Sequence, residues 1–230
     1  SESAGKAMFQ GFNQSTIRYY EAIRHRNSRE SHQEHLELYL EGVKYPLEEL
    51  YLELSNYSSR LDRDLLAPRR RCMSSLYNDA RFCGNAPIKE YFYVRFKLDT
   101  ADGKNALGFF FDASLDRYKY GLQIYHLDAR GMERFRAYLL DHRHSVAGMV
   151  ERFEESGLLQ VLGERYLRCH YPEVEHPALR DWLEHKKIAW VHEQVLDPAF
   201  FTRDILEQVC TGFDSAAELY LMGKEALGGR

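Results

Sequence analysis

The sequence lacks any apolar run near the ~20 residues that cross a bilayer, and Ser1-Glu-Ser-Ala-Gly-Lys-Ala7 lacks the apolar core of a signal peptide. No membrane association and no export are expected. The four cysteines, Cys72, Cys83, Cys169 and Cys210, form no Cys-x-x-Cys pair, so free thiols in a reducing compartment and a cytoplasmic location follow as the expectation. There is no Gly-x-Gly-x-x-Gly, P-loop, Gly-x-Ser-x-Gly, His-Glu-x-x-His or kinase-like set. That removes the readily named chemistries without excluding catalysis. An excess of positive charge is missing too: 31 Lys and Arg face 35 Asp and Glu, a formal net charge of -4. Nucleic-acid binding and attraction to an anionic membrane are disfavoured, although a local basic patch stays open. His32/His35, His142/His144 and Cys169/His170/His176 meet no partner pair at a metal-ligand spacing, so neither a metal nor a cofactor is expected.

What is present suits a core. A chain of 230 residues buries roughly 70% of its unfolded surface without needing staples. Aromatic residues make up 13%, led by 16 Tyr, above the usual share. Residues 1 to 7 read as an added or disordered end, with Met8 a candidate natural start. Asn13 to Ser15 can cap a helix carrying Ile17, Tyr20 and Ile23 at three- and four-residue spacing. A second helical stretch, Glu30 to Val43, meets Pro46, which must break it or start the next piece, with Leu47, Leu50, Tyr51 and Leu54.

The hydrophobic period then falls from about 3.6 to 2. Residues 91–98, 107–111 and 117–125, joined by short polar turns, predict three strands of an antiparallel meander. Helices are predicted through Met132 to Leu139 and Val146 to Phe153, the latter ended by Gly157. Strands follow at 158–167 and 187–191 around a short helix at 176–183, and Asp197-Pro198 opens a final long helix carrying Phe201, Ile205, Val209, Phe213, Ala216 and Tyr220. The predicted class is one α+β domain over residues 8–225, with a helical N-terminal third, a central, largely antiparallel sheet and a long C-terminal helix.

The candidate site lies where an irregular turn enters the first strand. Asp79, Arg81 and Lys89 sit in the turn; Tyr91, Tyr93, Arg95 and Lys97 alternate with Phe92, Val94, Phe96 and Leu98. Arg81, Lys89 and Arg95 can neutralise a small anionic ligand, Tyr91 or Tyr93 can donate hydrogen bonds, and Asp79 can orient an arginine or act as a base. Asp79, Arg81 and Lys89 are therefore the candidate catalytic residues. The same tyrosines and arginines also suit a protein partner's surface, with no catalysis. Depending on register, Tyr118 and Tyr120, or Lys119 and Gln123, join that face. Arg69-Arg-Arg71 reads as a solvated loop or an anion clamp.

Met8-Phe-Gln-Gly-Phe12, Asn27-Ser-Arg-Glu30, Asp79-Ala-Arg-Phe82 with Pro87 and Lys89, His176-Pro-Ala-Leu179 and Leu196-Asp-Pro198 occur in that order. Over residues 8 to 222 the chain resembles the family known as domain of unknown function 2461, which implies one α+β domain, a bacterial-type cytosolic protein and no assured reaction. It departs from that family's pattern at Asn78, where Arg is usual, at Ser31-His32, where Trp-Phe is usual, and at Cys83-Gly-Asn-Ala86, where two lysines are missing.

Overall fold

A computed structural model describes residues 8–228, so the expectation for residues 1 to 7 lies outside the described residues. Helix α1 (Gln14–His25) starts as its capping box dictates: the Asn13 side chain accepts from Ser15 and Thr16 N–H, and the Thr16 hydroxyl accepts from Asn13 N–H. Its buried side is Thr16, Tyr19, Tyr20 and Ile23, with Ile17 only half-buried. The stretch predicted as one helix from Glu30 to Val43 is instead α2 (Arg29–Glu34), α3 (Leu36–Tyr39) and a π-turn, Leu40–Lys44. Helix α4 (Tyr45–Leu61) follows directly, with Pro46 in its first turn, where it has no N–H to donate to the preceding turn. The π-turn has a local cause. Thr16 donates to Gly42 O at 2.6 Å and Asn13 Nδ2 to Glu41 O at 3.0 Å, so carbonyls released from the helical ladder are satisfied by α1. A Cβ on Gly42 would lie 2.3 Å from Thr16 N, which explains the glycine at this crossing.

A 3₁₀ turn (Arg63–Leu65) and α5 (Arg69–Cys72) lead to the strands β1 (Tyr91–Lys97), β2 (Ala106–Ser114) and β3 (Arg117–Tyr125). Then come α6 (Ala129–Asp141), α7 (Arg143–Ser156), β4 (Gln160–Leu162), α8 (Pro177–Leu183) and β5 (Ala189–Val195). A 3₁₀ turn (Pro198–Phe201), α9 (Asp204–Ser215) and α10 (Ala217–Leu227) close the chain. The fold is α+β, with one antiparallel sheet in the order β1-β2-β3-β5-β4. β4 and β5 pair through Gln160↔Val191, Val161↔Trp190 and Leu162↔Ala189.

Two expectations shift at their edges. The strand predicted at 158–167 keeps only residues 160–162, because Gly163 takes φ +138 with its Cα face against Lys187 O, and the chain leaves the sheet. The final helix begins at Asp204, not 198, and is divided at Ala216. Asp197 makes no side-chain cap; it accepts instead from the Tyr118 hydroxyl, 3.2 Å away.

The residues group into two compact units. The first takes residues up to Phe96, Phe111–Lys119 and Glu193–Cys210. Its core sets Phe92 and Phe200 against Phe12, at 4.9 and 4.8 Å between ring centres, and Phe96 against Tyr51 at 6.1 Å. Within it Arg203 forms a bidentate pair with Glu53, at 2.8 and 2.6 Å, and also donates to Phe9 O. The second unit takes Lys97–Phe110, Tyr120–His192 and residues from Thr211 on. Its core packs Phe109 on Phe213 and Tyr220, and Trp190 on Trp182 and Phe135, at 4.8 to 5.7 Å. No helix among the described residues is long and apolar enough to cross a membrane.

Candidate functional site

The turn before β1 is an irregular hairpin. Residues 73–77 run antiparallel to 88–94 through the bridges Met73↔Val94 and Tyr77↔Ile88, and residues 78–87 close the end. Two asparagines fix that closure. Asn78 donates to Ala86 O at 2.8 Å and Ile88 O at 3.2 Å, while Asn27 donates to Ile88 O and accepts from Ile88 N, at 2.8 and 2.9 Å. The Arg29 guanidinium lies 4.9 Å from the centre of the Tyr77 ring, a cation–π contact. The segments Asn27–Glu30 and Asp79–Phe82, far apart in sequence, therefore belong to one structural corner.

Each predicted residue has a definite place there. Arg81 holds Asp79 by Nε–Oδ1 and Nη2–Oδ2 contacts of 3.0 and 2.6 Å, and the pair stands in solvent. The hydrogen bonds from Arg81, side chain first and backbone N–H second, keep the Asp79 carboxyl below its usual range. Lys89 Nζ donates to Ser75 O, Ser75 Oγ and Tyr77 O at 2.9, 2.7 and 2.8 Å. All three of its N–H groups thus have protein acceptors. Burial lowers the Lys89 pKa, and the nearby Arg95 charge adds to this.

β1 alternates as its sequence predicts: Phe92, Val94 and Phe96 are buried, Tyr91 is exposed, and Tyr93, Arg95 and Lys97 are half-buried. The Arg95 guanidinium stacks 3.5 Å over the Tyr93 ring, whose neighbour on that face is Tyr91. Of the β3 alternatives, Tyr118 and Tyr120 are buried, whereas Lys119 and Gln123 are half-buried on the other parity. Sequence reading overlooked Asp112, the one acidic residue in β2. Burial pushes its carboxyl up to about 6 even though the Lys119 and Arg95 charges oppose that shift, while Glu193 adds to it. The signal was present: three consecutive Phe imply that both faces of the strand are covered, and Asp112 follows on the face of Phe110.

An open depression of about 630 Å³ lies at the hairpin, lined by Ser75, Asn78, Asp79, Cys83, Lys89 and three aromatic rings, Tyr77, Phe82 and Tyr91. Neither Arg81 nor Arg95 is in its wall. The rings are 41%, 82% and 43% exposed, respectively. Arg69 of the basic triplet pairs with Glu48 at 3.1 Å. Among the described residues no group of three or more His, Cys, Asp or Glu is placed to hold a metal ion.

Residues 15–221 match the family model of a conserved hypothetical protein, domain of unknown function 2461, and the chain belongs to that family. A comparison with curated proteins gave no match.

Proposed function

We propose that this protein is a non-catalytic interaction module whose recognition surface is the hairpin corner bearing Tyr77, Phe82 and Tyr91. The observation that carries this reading is the 82% exposure of Phe82 at the tip of a turn held by Asn27 and Asn78. A rigid, solvent-facing aromatic ring gains free energy when a partner removes it from water, and its scaffold has already lost the entropy that ordering costs. Exposed tyrosines beside it, with Arg29 and Arg81 nearby, give the composition from which interface anchors are drawn. A photo-crosslinking residue at Tyr91 is expected to yield a discrete adduct with one polypeptide, and Phe82→Ser to abolish it. The reading is overturned if adducts do not exceed those from Val195, a control position that is 72% exposed.

A small anionic ligand is the second reading of the same residues. What favours it is the depression of about 630 Å³ with Lys89 and Tyr91 in its wall, a volume within the range of ligand pockets. In that case Arg81 would use the guanidinium edge left by Asp79, and Tyr91, Tyr93 and Arg95 would complete the site. Arg81→Ala and Arg81→Lys would then both weaken the ligand, because Lys lacks the planar fork. The three protein acceptors already around Lys89 weigh against this reading, as does the absence of Arg81 from the wall.

A further inference from the structure

A second concavity in the chain has the opposite electrostatic arrangement. After Gly163 the chain wraps the C-terminal end of α8, pinned there by Tyr166 N–H to Glu184 O at 2.8 Å and Lys186 N–H to Glu164 O at 2.7 Å. At the centre of the wrap is Glu184, 6% exposed. Its carboxylate accepts from His170 N–H at 2.9 and 3.0 Å, from Tyr171 N–H at 2.8 Å and from the Cys169 thiol at 3.4 Å. Burial alone would raise this carboxyl; the donors outweigh it and hold the group ionised below its usual range. The wrap is therefore an ordered wall, fixed from beneath by one buried anion.

That wall and α8 enclose an open depression of about 380 Å³, whose lining includes Arg165, Arg168 and Arg180 together with Asp181 and Glu184. Arg165 is paired to Asp181. Among the described residues, Arg168 and Arg180 have no ion-pair or side-chain hydrogen-bond partner. Both residues line one concave surface, so positive charge gathers there without a carboxylate paired to either. A small anion with several oxygens neutralises that charge and can take two N–H donors from a guanidinium fork.

We infer that this depression binds a small, multiply charged oxyanion of the phosphate-ester class through Arg168 and Arg180. Arg165 is held out of direct contact by Asp181 and sets the rim. Glu184 is a positioning residue: its carboxylate accepts from the backbone N–H groups of His170 and Tyr171 and from the Cys169 thiol, and so keeps Arg168 and the thiol-bearing turn in place. The chemistry favours phosphate over a single carboxylate, because a phosphate carries more negative charge and more acceptor oxygens for two guanidinium groups. This site is separate from the hairpin corner, and the inference does not depend on the recognition role proposed there.

The test is titration of the intact protein with inorganic pyrophosphate at constant ionic strength, read by isothermal calorimetry and by thermal shift. Saturable binding is expected. Arg168→Gln with Arg180→Gln should weaken it at least tenfold, the corresponding double lysine variant should weaken it less, and Arg81→Gln should leave it unchanged. Orthophosphate is expected to bind more weakly than pyrophosphate, and sodium chloride at matched ionic strength to reproduce neither. The unliganded melting temperatures and far-ultraviolet spectra of the variants establish that each is folded, and the lysine pair serves if the glutamine pair is not. No saturable response to pyrophosphate, or an undiminished response in both double variants, overturns the inference.

Discussion

The hairpin corner around Asp79, Arg81 and Lys89 and the wrap around Glu184 both combine cations with carboxylates, yet they arrange them in opposite ways. In the corner the cations are committed: Lys89 has three protein acceptors, Arg81 has Asp79, and Arg95 lies on Tyr93. In the wrap it is the anion that is committed, with Glu184 holding loop donors while Arg168 and Arg180 face the depression. Charge counted along a sequence is therefore a poor guide to charge that a ligand can use. What matters is which groups have already exchanged water for protein partners. The corner offers aromatic surface and the wrap offers unneutralised guanidinium, even though sequence inspection directs attention to the corner's cations.

The strongest way to break the contrast is Glu184→Ala. With the carboxylate gone, loop donors and a thiol lose their common acceptor, and stability should fall by roughly 2–4 kcal/mol, read by urea unfolding. Because the folded carboxyl is held below its usual range, the stability that Glu184 supplies is present above about pH 4.5 and lost as the pH falls through the folded value. Faster reaction of the Cys169 thiol with a disulfide reagent should accompany the substitution. Unchanged stability would mean that the wrap is held by other contacts.

Asp112→Asn should act with the opposite sign. The Asp112 carboxyl is raised to about 6 in the fold, so the unfolded chain releases its proton first as the pH rises from about 4. The native state loses stability across the interval from about 4 to 6, and the full penalty persists above it. The asparagine variant should therefore be more stable than the parent by roughly 1–3 kcal/mol at pH 8 and equal to it at pH 3.5. A difference independent of pH would show that Asp112 acts through packing.

Smaller again is Lys89→Met, which removes the donor to Ser75 O, Ser75 Oγ and Tyr77 O but keeps the aliphatic stem. A loss of roughly 1–2 kcal/mol, with faster amide exchange at Asn78 and Lys89, the ladder donors of the hairpin, than elsewhere in the first unit, is expected. Full retention of protection would show that Asn27 and Asn78 fix the hairpin alone. The smallest effect is expected from Arg81→Ala. The pair with Asp79 is solvent-exposed, and such pairs contribute little, so no measurable change in Tm should result. A clear drop would reassign Arg81 to a structural role.

The periodic parts of the fold were legible in the sequence. The caps at Asn13, the three meander strands and the helix ended by Gly157 follow from side-chain pattern and local backbone chemistry, and the structure has them within a few residues. Non-local partners were not legible. Nothing in the order Gly163-Glu-Arg-Tyr-Leu167 announces that Glu184 collects the following loop. Nor does Ser31-His32, in place of Trp-Phe, announce its consequence. His32 occupies an aromatic position, 5.0 Å from the Tyr39 ring and 2.8 Å from the Tyr19 hydroxyl, while Ser31 Oγ is buried with no hydrogen-bond partner. Lys89 shows the same limit: the sequence shows a cation beside a strand, and only the fold shows its three acceptors.

The π-turn at Leu40–Lys44 fixes the length of the chain as well as its path. Each residue along a helix turns the following side chains by about 100°, so deleting one residue between Leu40 and Lys44 would swing Leu47, Leu50 and Leu54 off their buried side. The same deletion would withdraw the Glu41 and Gly42 carbonyls from Asn13 and Thr16, breaking the contact that ties this bend to the start of α1. Insertions and deletions that the exposed turn at Asp99 to Lys104 can absorb are thus barred here. In related chains this helical bend should keep its residue count even where its side chains diverge.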